Sequence, residues 1–255
     1  MSAWRLLRHG PGPGSWNMGV DEALLAGAAR GQPSLRVYRW DGPWLSLGYA
    51  QPLDRERRVA CEAAGVAIVR RVTGGRAVLH GGDLTYAVAA PLRWAPGDVG
   101  RSYALIAGGL LAAMRRLGLE AACVAPTPGA RRAPDFDCFA SAGGHEIVCD
   151  GLKLCGSAQR RTAAALLQHG SLRLQPDPPE ARRAAGLEPE GATSLLELGA
   201  PCDVERVAEA VVAGLGDALG AQLVEAELDG DECSAAGKRG EEPSDLRCER
   251  SQEAL

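Results

Sequence analysis

Cys138 and Lys153 have the residue types for covalent catalysis: a thiol that attacks and an ammonium that steadies charge. Cys138 stands in the segment Pro134-Asp-Phe-Asp-Cys-Phe-Ala-Ser-Ala-Gly-Gly144, rich in turn formers, where a substrate can reach it. A neighbouring cation favours the thiolate, which is the reactive form. Asp135 and Asp137 act against this if they face the sulfur. Taken alone, a loop cysteine is more often inert than catalytic. The lysine carries a sharper signal. Of 28 basic residues only two are lysines, Lys153 and Lys238. A chain that uses arginine wherever a surface cation will serve, yet keeps one lysine in its body, points to a need for a compact ammonium that can lose its proton. Chance survival of a lysine is the alternative.

These residues must be positioned by the elements around them. Asp150-Gly151 between two strand-like runs is a two-residue hairpin signal. The register pairs Cys149 with Leu152, Val148 with Lys153, Ile147 with Leu154 and Glu146 with Cys155. Ile147, Cys149, Leu152 and Leu154 then share an apolar face. Lys153 is held on the other face, with Glu146, Val148 and Cys155. Upstream, Arg70-Arg-Val-Thr-Gly-Gly-Arg-Ala-Val-Leu-His80 reads as strands Val66–Arg71 and Ala77–His80 around a glycine turn. That turn is either a plain hairpin or a place where a ligand approaches the main chain. Gly156-Ser-Ala-Gln159 is a second small-residue turn. His80 and His169 have no third ligand in reach, so each reads as a hydrogen-bonded core histidine and no metal is expected.

Helices are expected over Asn17–Arg30 (capped by Ser15 or Asn17, with Asp21 and Glu22 in the first turn), Leu53–Ala64, Ser102–Leu117 (capped by Ser102) and Asp203–Leu219. Strands are expected over Leu35–Trp40, Trp44–Leu47 and Leu84–Ala90. A loop runs from Pro126 to Pro134. Helices and strands alternate without a βαβ repeat, so the fold class is α+β, a mixed β-sheet with flanking helices. One catalytic domain is expected over 1–228. Residues 229–255 carry eight acids against four bases and are expected to be a disordered acidic tail. The net charge of −4 excludes a nucleic-acid partner of the usual basic kind. No apolar run reaches the roughly 20 residues of a membrane span, and the N-terminal residues lack a signal-peptide core, so the expectation is no membrane association and a cytoplasmic protein. None of the eight cysteines has zinc-site spacing, and most are expected to be reduced and buried. The paired arginines (70-71, 115-116, 131-132, 160-161, 182-183) are candidates for docking an acidic partner.

In order along the chain, Asn17-Met-Gly-Val-Asp-Glu-Ala-Leu24, Leu35 to Gln51, RRVTGGRAVLHGGDLTY (70–86), GLKLCGSAQRR (151–161) and Leu167-Gln-His-Gly-Ser171 resemble the lipoate/octanoate branch of the biotin–lipoate protein ligase superfamily. Asp137-Cys-Phe139 ahead of the lysine hairpin is similar to the cysteine-dependent octanoyltransferases of that branch. Arg76, where ATP-dependent lipoate ligases usually have a third glycine, leans the same way. Gly81-Gly82 after His80, and His145 before Glu146, depart from the family pattern. The resemblance implies a ligase-like catalytic domain that moves an octanoyl group through a thioester on Cys138, with Lys153 at the carbonyl. It implies an acyl and substrate site from Arg71, Thr73, Gly74, Gly75, Arg76, His80, Tyr86, Gly156, Ser157, Ala158 and His169, with Val72, Val78 and Leu79 as pocket candidates. The implied donor is octanoyl-acyl carrier protein. The implied acceptor is a lipoyl carrier domain, that of the glycine cleavage H protein or a dehydrogenase E2. No cofactor is implied. The alternatives are an ATP-dependent lipoate–protein ligase, an amidotransferase between lipoyl carriers, and a non-catalytic relative that binds acyl groups or carriers.

Overall fold

The computed structural model describes residues 2–94, 97–124, 136–139, 144–187 and 191–241. The chain runs β1 (Ser2–Gly12), α1 (Gly14–Ala29), β2 (Ser34–Trp40), β3 (Trp44–Leu47), α2 (Arg55–Ala63), β4 (Ala67–Arg70), β5 (Val78–His80), β6 (Asp83–Pro91), α3 (Val99–Arg116) and β7 (Ala122–Cys123). It continues through β8 (Ile147–Cys149), β9 (Leu152–Arg161), β10 (Ala165–Arg173), α4 (Pro179–Ala184), α5 (Val204–Leu219), β11 (Ala221–Glu225) and α6 (Gly230–Glu241). Eight strands form one sheet in the order β11-β1-β2-β6-β10-β9-β8-β7, and β4-β3-β5 form a second. Both are mixed: β1 runs parallel to β11 and β2, whereas β6, β10, β9 and β8 pair antiparallel. The expected mixed-sheet α+β class is the observed one.

The large sheet is covered on both sides, and the two-residue period of its strands sorts the side chains. Leu35 and Val37 of β2, with Leu84, Tyr86, Val88 and Ala90 of β6, face α3 and α5. Tyr38 and Trp40, with Ala87 and Ala89, face α1. Strand β6 is buried at every position, as a central strand under two helical layers must be.

Aspartates start four helices among the described residues. Asp54, Asp98, Asp203 and Asp229 each accept a hydrogen bond from the main-chain N–H three residues on, at 2.7, 2.9, 2.9 and 2.8 Å. The expected cap of α3, Ser102, instead lies one turn inside, where its hydroxyl donates to the Val99 carbonyl. Helix α1 begins at Gly14 without a side-chain cap, so neither Ser15 nor Asn17 caps it and Asp21 lies mid-helix rather than in the first turn. Asn17 spends its amide on the carbonyls of Gly12 and Arg39.

Two further expectations are corrected. Strands β4 and β5 do not form a hairpin around the glycine turn, because β3 lies between them, parallel to one and antiparallel to the other. The segment after Asp229 is not disordered as far as Glu241. Gly19 of α1 lets the Ala236 main chain of α6 approach closely, and Glu232 pairs with Arg5 at 2.6 Å. One acidic residue there, Glu232, finds its partner on β1, which a composition argument does not weigh. Residues 242–255 of the expected tail, and the Pro126–Pro134 loop, lie outside the described residues.

Several arginines expected to dock a partner are used internally. Arg116 pairs with Asp217, and Arg182 with Asp177 and Asp137. No helix among the described residues is long and apolar enough to cross a membrane.

A buried polar network ties α1 to the sheet. Asp21 receives hydrogen bonds from Arg36 (2.8 Å), Tyr38 (2.9 Å) and His169 (2.8 Å). Burial by itself would raise the Asp21 carboxyl, but the His169 hydrogen bond and the charge of Arg36 outweigh it and hold it below the usual carboxylate range. A depressed pKa contributes stability that is present above the unfolded value of about 4 and lost as pH falls through the folded value. Asp21→Asn is therefore expected to cost about 3–5 kcal/mol at pH 7, since it leaves Arg36 buried without its counter-ion. It should also flatten the drop in urea midpoint below about pH 4 relative to wild type. An equally steep acid drop in both proteins would remove Asp21 from the account.

Candidate active site

The Asp150-Gly151 turn forms as its residue types demand, with φ of 50° and 78°, the left-handed pair of a tight hairpin. Cys149 pairs with Leu152 and Val148 with Lys153, as the spacing predicts. The register then slips, and Ile147 lies opposite Cys155 rather than Leu154. The bulge gives β9 one extra residue, so Leu154 and Cys155 both enter the core below α3. Leu152, expected in that core, is exposed instead. Lys153 is 0% exposed.

The segment bearing Cys138 docks on the start of β5. Cys138 N–H donates to the Ala77 carbonyl at 2.8 Å, and Ala77 N–H to the Phe136 carbonyl at 2.9 Å. Asp137 turns away from the sulfur. One oxygen accepts from the Phe139 N–H at 2.8 Å, and the other pairs with Arg182 at 2.9 Å. Asp135 lies outside the described residues.

The two expected reactive residues meet. Lys153 Nζ is 3.4 Å from Cys138 Sγ and donates to the Cys138 carbonyl at 2.6 Å. It also donates to Glu146 Oε1, which the sequence reading left without a role. Cys138 is half-buried, so the thiol is reachable while the ammonium is sealed. The neighbouring Cys155 is of the opposite kind: burial pushes its thiol up to about 12, leaving it unreactive.

Gly156 supplies the space for this meeting. A Cβ there would lie 2.9 Å from Lys153 Cε, 3.2 Å from Nζ and 3.5 Å from Cys138 Sγ. Gly156→Ala is expected to keep the fold and slow reaction at Cys138 by about tenfold or more, because the ammonium must shift by a few tenths of an ångström. An unchanged rate would show that Lys153 tolerates displacement.

The glycine turn stands beside this pair. Arg71 is buried and donates to the carbonyls of Ser46, Gly74 and Arg76, at 2.9, 3.1 and 2.5 Å. It thus braces the Thr73–Arg76 main chain. Burial lowers the Arg71 guanidinium from its ordinary value, with the Cys138 sulfur acting in the opposite direction. Gly75 takes a φ of 95° with Ala158 facing it, and Gly48 passes under it. A Cβ on Gly48 would lie 2.0 Å from the Gly75 carbonyl oxygen, a requirement for glycine that the sequence reading missed. Tyr86 Oη bonds Ser157 Oγ at 2.8 Å and accepts from Gln168 at 3.1 Å.

The histidines are engaged within the protein. His169 meets Asp21 through Nδ1 and Thr73 Oγ1 through Nε2 (2.7 Å). A carboxylate only accepts, so Nδ1 carries a proton and donates it to Asp21. His80 is held by Ser46 (2.8 Å) and Asp83 (2.8 Å) and stacks on Trp40. Both nitrogens of each ring are hydrogen-bonded within the protein, as the residue context suggests. Of the pocket candidates, Leu79 packs with the core under α2 and α4. Its neighbour Val78 therefore faces the other side of β5, so the two cannot line one pocket. No group of three metal-binding side chains occurs among the described residues.

The arrangement presents a reachable thiol, a sealed ammonium 3.4 Å away and a braced glycine turn with exposed main chain. The family described as the lipoyl protein ligase A/B catalytic domain matches residues 13–216. A protein of Kyrpidia tusciae named octanoyltransferase LipM is 42% identical over 258 residues, spanning 92% of this chain and 94% of that one. A protein of the same name from Symbiobacterium thermophilum is 39% identical over 246 residues, 88% and 89% of the two chains. Among solved structures, lipoate-protein ligase A bound with ATP superposes with a TM-score of 0.75 at 21% identity, over 95% of this chain and 96% of that one. The bipartite lipoate protein ligase of Thermoplasma acidophilum does so with a TM-score of 0.74 at 21% identity, over 95% and 94%. At that identity the structural likenesses speak for the fold.

Proposed function

The chain belongs to the lipoyl protein ligase A/B catalytic-domain family, and from that premise we propose an octanoyltransferase of lipoate assembly that works through a thioester on Cys138. The donor in this reading is octanoyl-acyl carrier protein, and the acceptor is a lysine of a lipoyl carrier domain. The observation that carries it is the Lys153 ammonium 3.4 Å from the half-buried Cys138 sulfur, on the chain's one lysine outside residues 229–255.

The steps follow from that geometry. The Cys138 thiolate, favoured by the ammonium, attacks the donor thioester carbonyl. Lys153 and main-chain N–H groups of the glycine turn stabilise the oxyanion. The S–C bond to the donor breaks, and the donor thiol leaves with the proton that Cys138 gave up. One thioester replaces another, so this step is close to thermoneutral. The neutral acceptor amine then attacks the acyl-enzyme, the S–C bond breaks, the Cys138 sulfur leaves with the proton that the amine gives up, and the amide formed makes the second step downhill. Splitting the transfer in two lets two bulky carriers dock in succession.

The test is the intact mass of the full chain after mixing with octanoyl-acyl carrier protein in the absence of ATP. A hydroxylamine-labile octanoyl adduct that maps to Cys138 supports the reading. No adduct, with carrier-domain modification appearing only when ATP and free acid are supplied, makes the protein a ligase and Cys138 a packing residue.

A further inference from the structure

Glu146 lies between the loop of Cys138 and β8, and its carboxylate is 11% exposed against the fully buried Lys153. An ammonium has three hydrogens. Among the described residues three acceptors meet Lys153 Nζ: the Cys138 carbonyl, the Cys138 sulfur and Glu146 Oε1. We propose that Glu146 is a positioning residue that offsets the Lys153 charge and so keeps the Cys138 thiol poised for exchange with a donor thioester.

The groups around the sulfur show why an offset matters. Lys153 touches it, and the buried Arg71 acts on it through charge. Arg71 has no carboxylate partner among the described residues; its contacts are carbonyls and a hydroxyl. Asp137 is committed to Arg182, and Arg173, on the Phe139 ring, is paired with Asp177. Cys155 is kept a neutral thiol by burial, and His145 stacks on Tyr103. Among the described residues Glu146 is the carboxylate that meets the ammonium, so without it two cations act on one sulfur with no counter-charge on Lys153.

That excess would harm the exchange. A thiolate that is too well stabilised attacks poorly, and it leaves readily, because nucleophilicity falls with basicity. In the reaction Cys138–SH plus octanoyl–S–carrier gives Cys138–S–octanoyl plus carrier–SH, one S–C bond forms as another breaks. The Cys138 proton ends on the carrier thiol. Over-stabilising the Cys138 thiolate moves this balance back towards the donor. Glu146 therefore sets how much acyl-enzyme stands ready for the acceptor.

This inference rests on the thioester reading above, and its test separates the two. The pH dependence of Cys138 alkylation by iodoacetamide, followed on the Cys138 peptide of the free full chain, needs no acyl donor. Glu146→Gln keeps the shape and removes the charge. It is expected to move the alkylation midpoint down by about one pH unit or more. The acyl-enzyme fraction, measured against equal octanoylated and free carrier, should fall about tenfold. Glu146→Asp should restore the wild-type midpoint, and Lys153→Met should move it up. A residue that merely held the fold would displace Lys153 when changed and shift the midpoint upward. An upward or unchanged midpoint in folded Glu146→Gln overturns the assignment. A wild type that forms no adduct with octanoyl carrier overturns the thioester reading instead, with the alkylation shift still readable.

Discussion

Changing Cys138 to serine or alanine is expected to remove the octanoyl adduct and to lower transfer to a lipoyl domain by on the order of 10³-fold or more. The expectation rests on what Lys153 can do for each atom. The ammonium 3.4 Å from the sulfur can hold a thiolate, because a thiol ionises near neutral pH. The same ammonium cannot bring a serine hydroxyl, far less acidic than a thiol, into reach of neutral pH. The serine variant should keep the fold, since the segment is held by the main-chain bonds of Ala77 and Cys138 and by Asp137 with Arg182. Loss of turnover with unchanged affinity for the octanoyl carrier would place the effect in the chemistry. Turnover within tenfold of wild type would exclude the covalent route and favour direct transfer in a ternary complex.

Lys153 carries the second large effect. Lys153→Met keeps the length of the side chain and removes the charge, the oxyanion donor and the partner of Glu146 together. A loss of about 10²–10³ in kcat is expected, the scale on which oxyanion donors act. Lys153→Arg separates charge from shape. A guanidinium stays charged but is planar and larger, and the space beside Gly156 is already tight. It cannot place three donors on the two Cys138 acceptors and Glu146, so about a 10²-fold loss is expected for it as well. Pre-steady-state acylation and single-turnover deacylation, measured separately, should both slow, because both pass through an oxyanion at the same carbonyl. Near-normal activity of the arginine variant would leave Lys153 only the role of a general surface charge, which its burial contradicts.

Much of this site was legible in the order of the residues. The Asp150-Gly151 turn needs only its own residue types, and its two flanking pairs formed in the expected register. Helices α2 and α5 carry their aspartate caps within themselves, α5 its apolar periodicity as well, and they stand within two residues of the expected spans. The rarity of lysine marked Lys153 before any partner was known. These are local properties, decided by neighbours three or four positions away.

The tertiary structure decided what depends on residues far apart. Fifteen positions separate Cys138 from Lys153, and only the docking of one segment on β5 and the other on β10 brings them together. The direction of Asp137 was set by Arg182, 45 positions on, which turned a possible inhibitor of the thiol into a strut. Strand β3 separated two strands that looked like a hairpin, because pairing across a sheet follows the whole topology and not the nearest turn. Helix α6 formed where composition suggested disorder, since Glu232 found Arg5 and Ala236 found Gly19, more than two hundred positions away. Glu146 stood in plain view in the sequence. The expected register already put it on the face of Lys153, and its meaning came from the docking of the Cys138 segment, which brings the sulfur to the same ammonium that Glu146 meets.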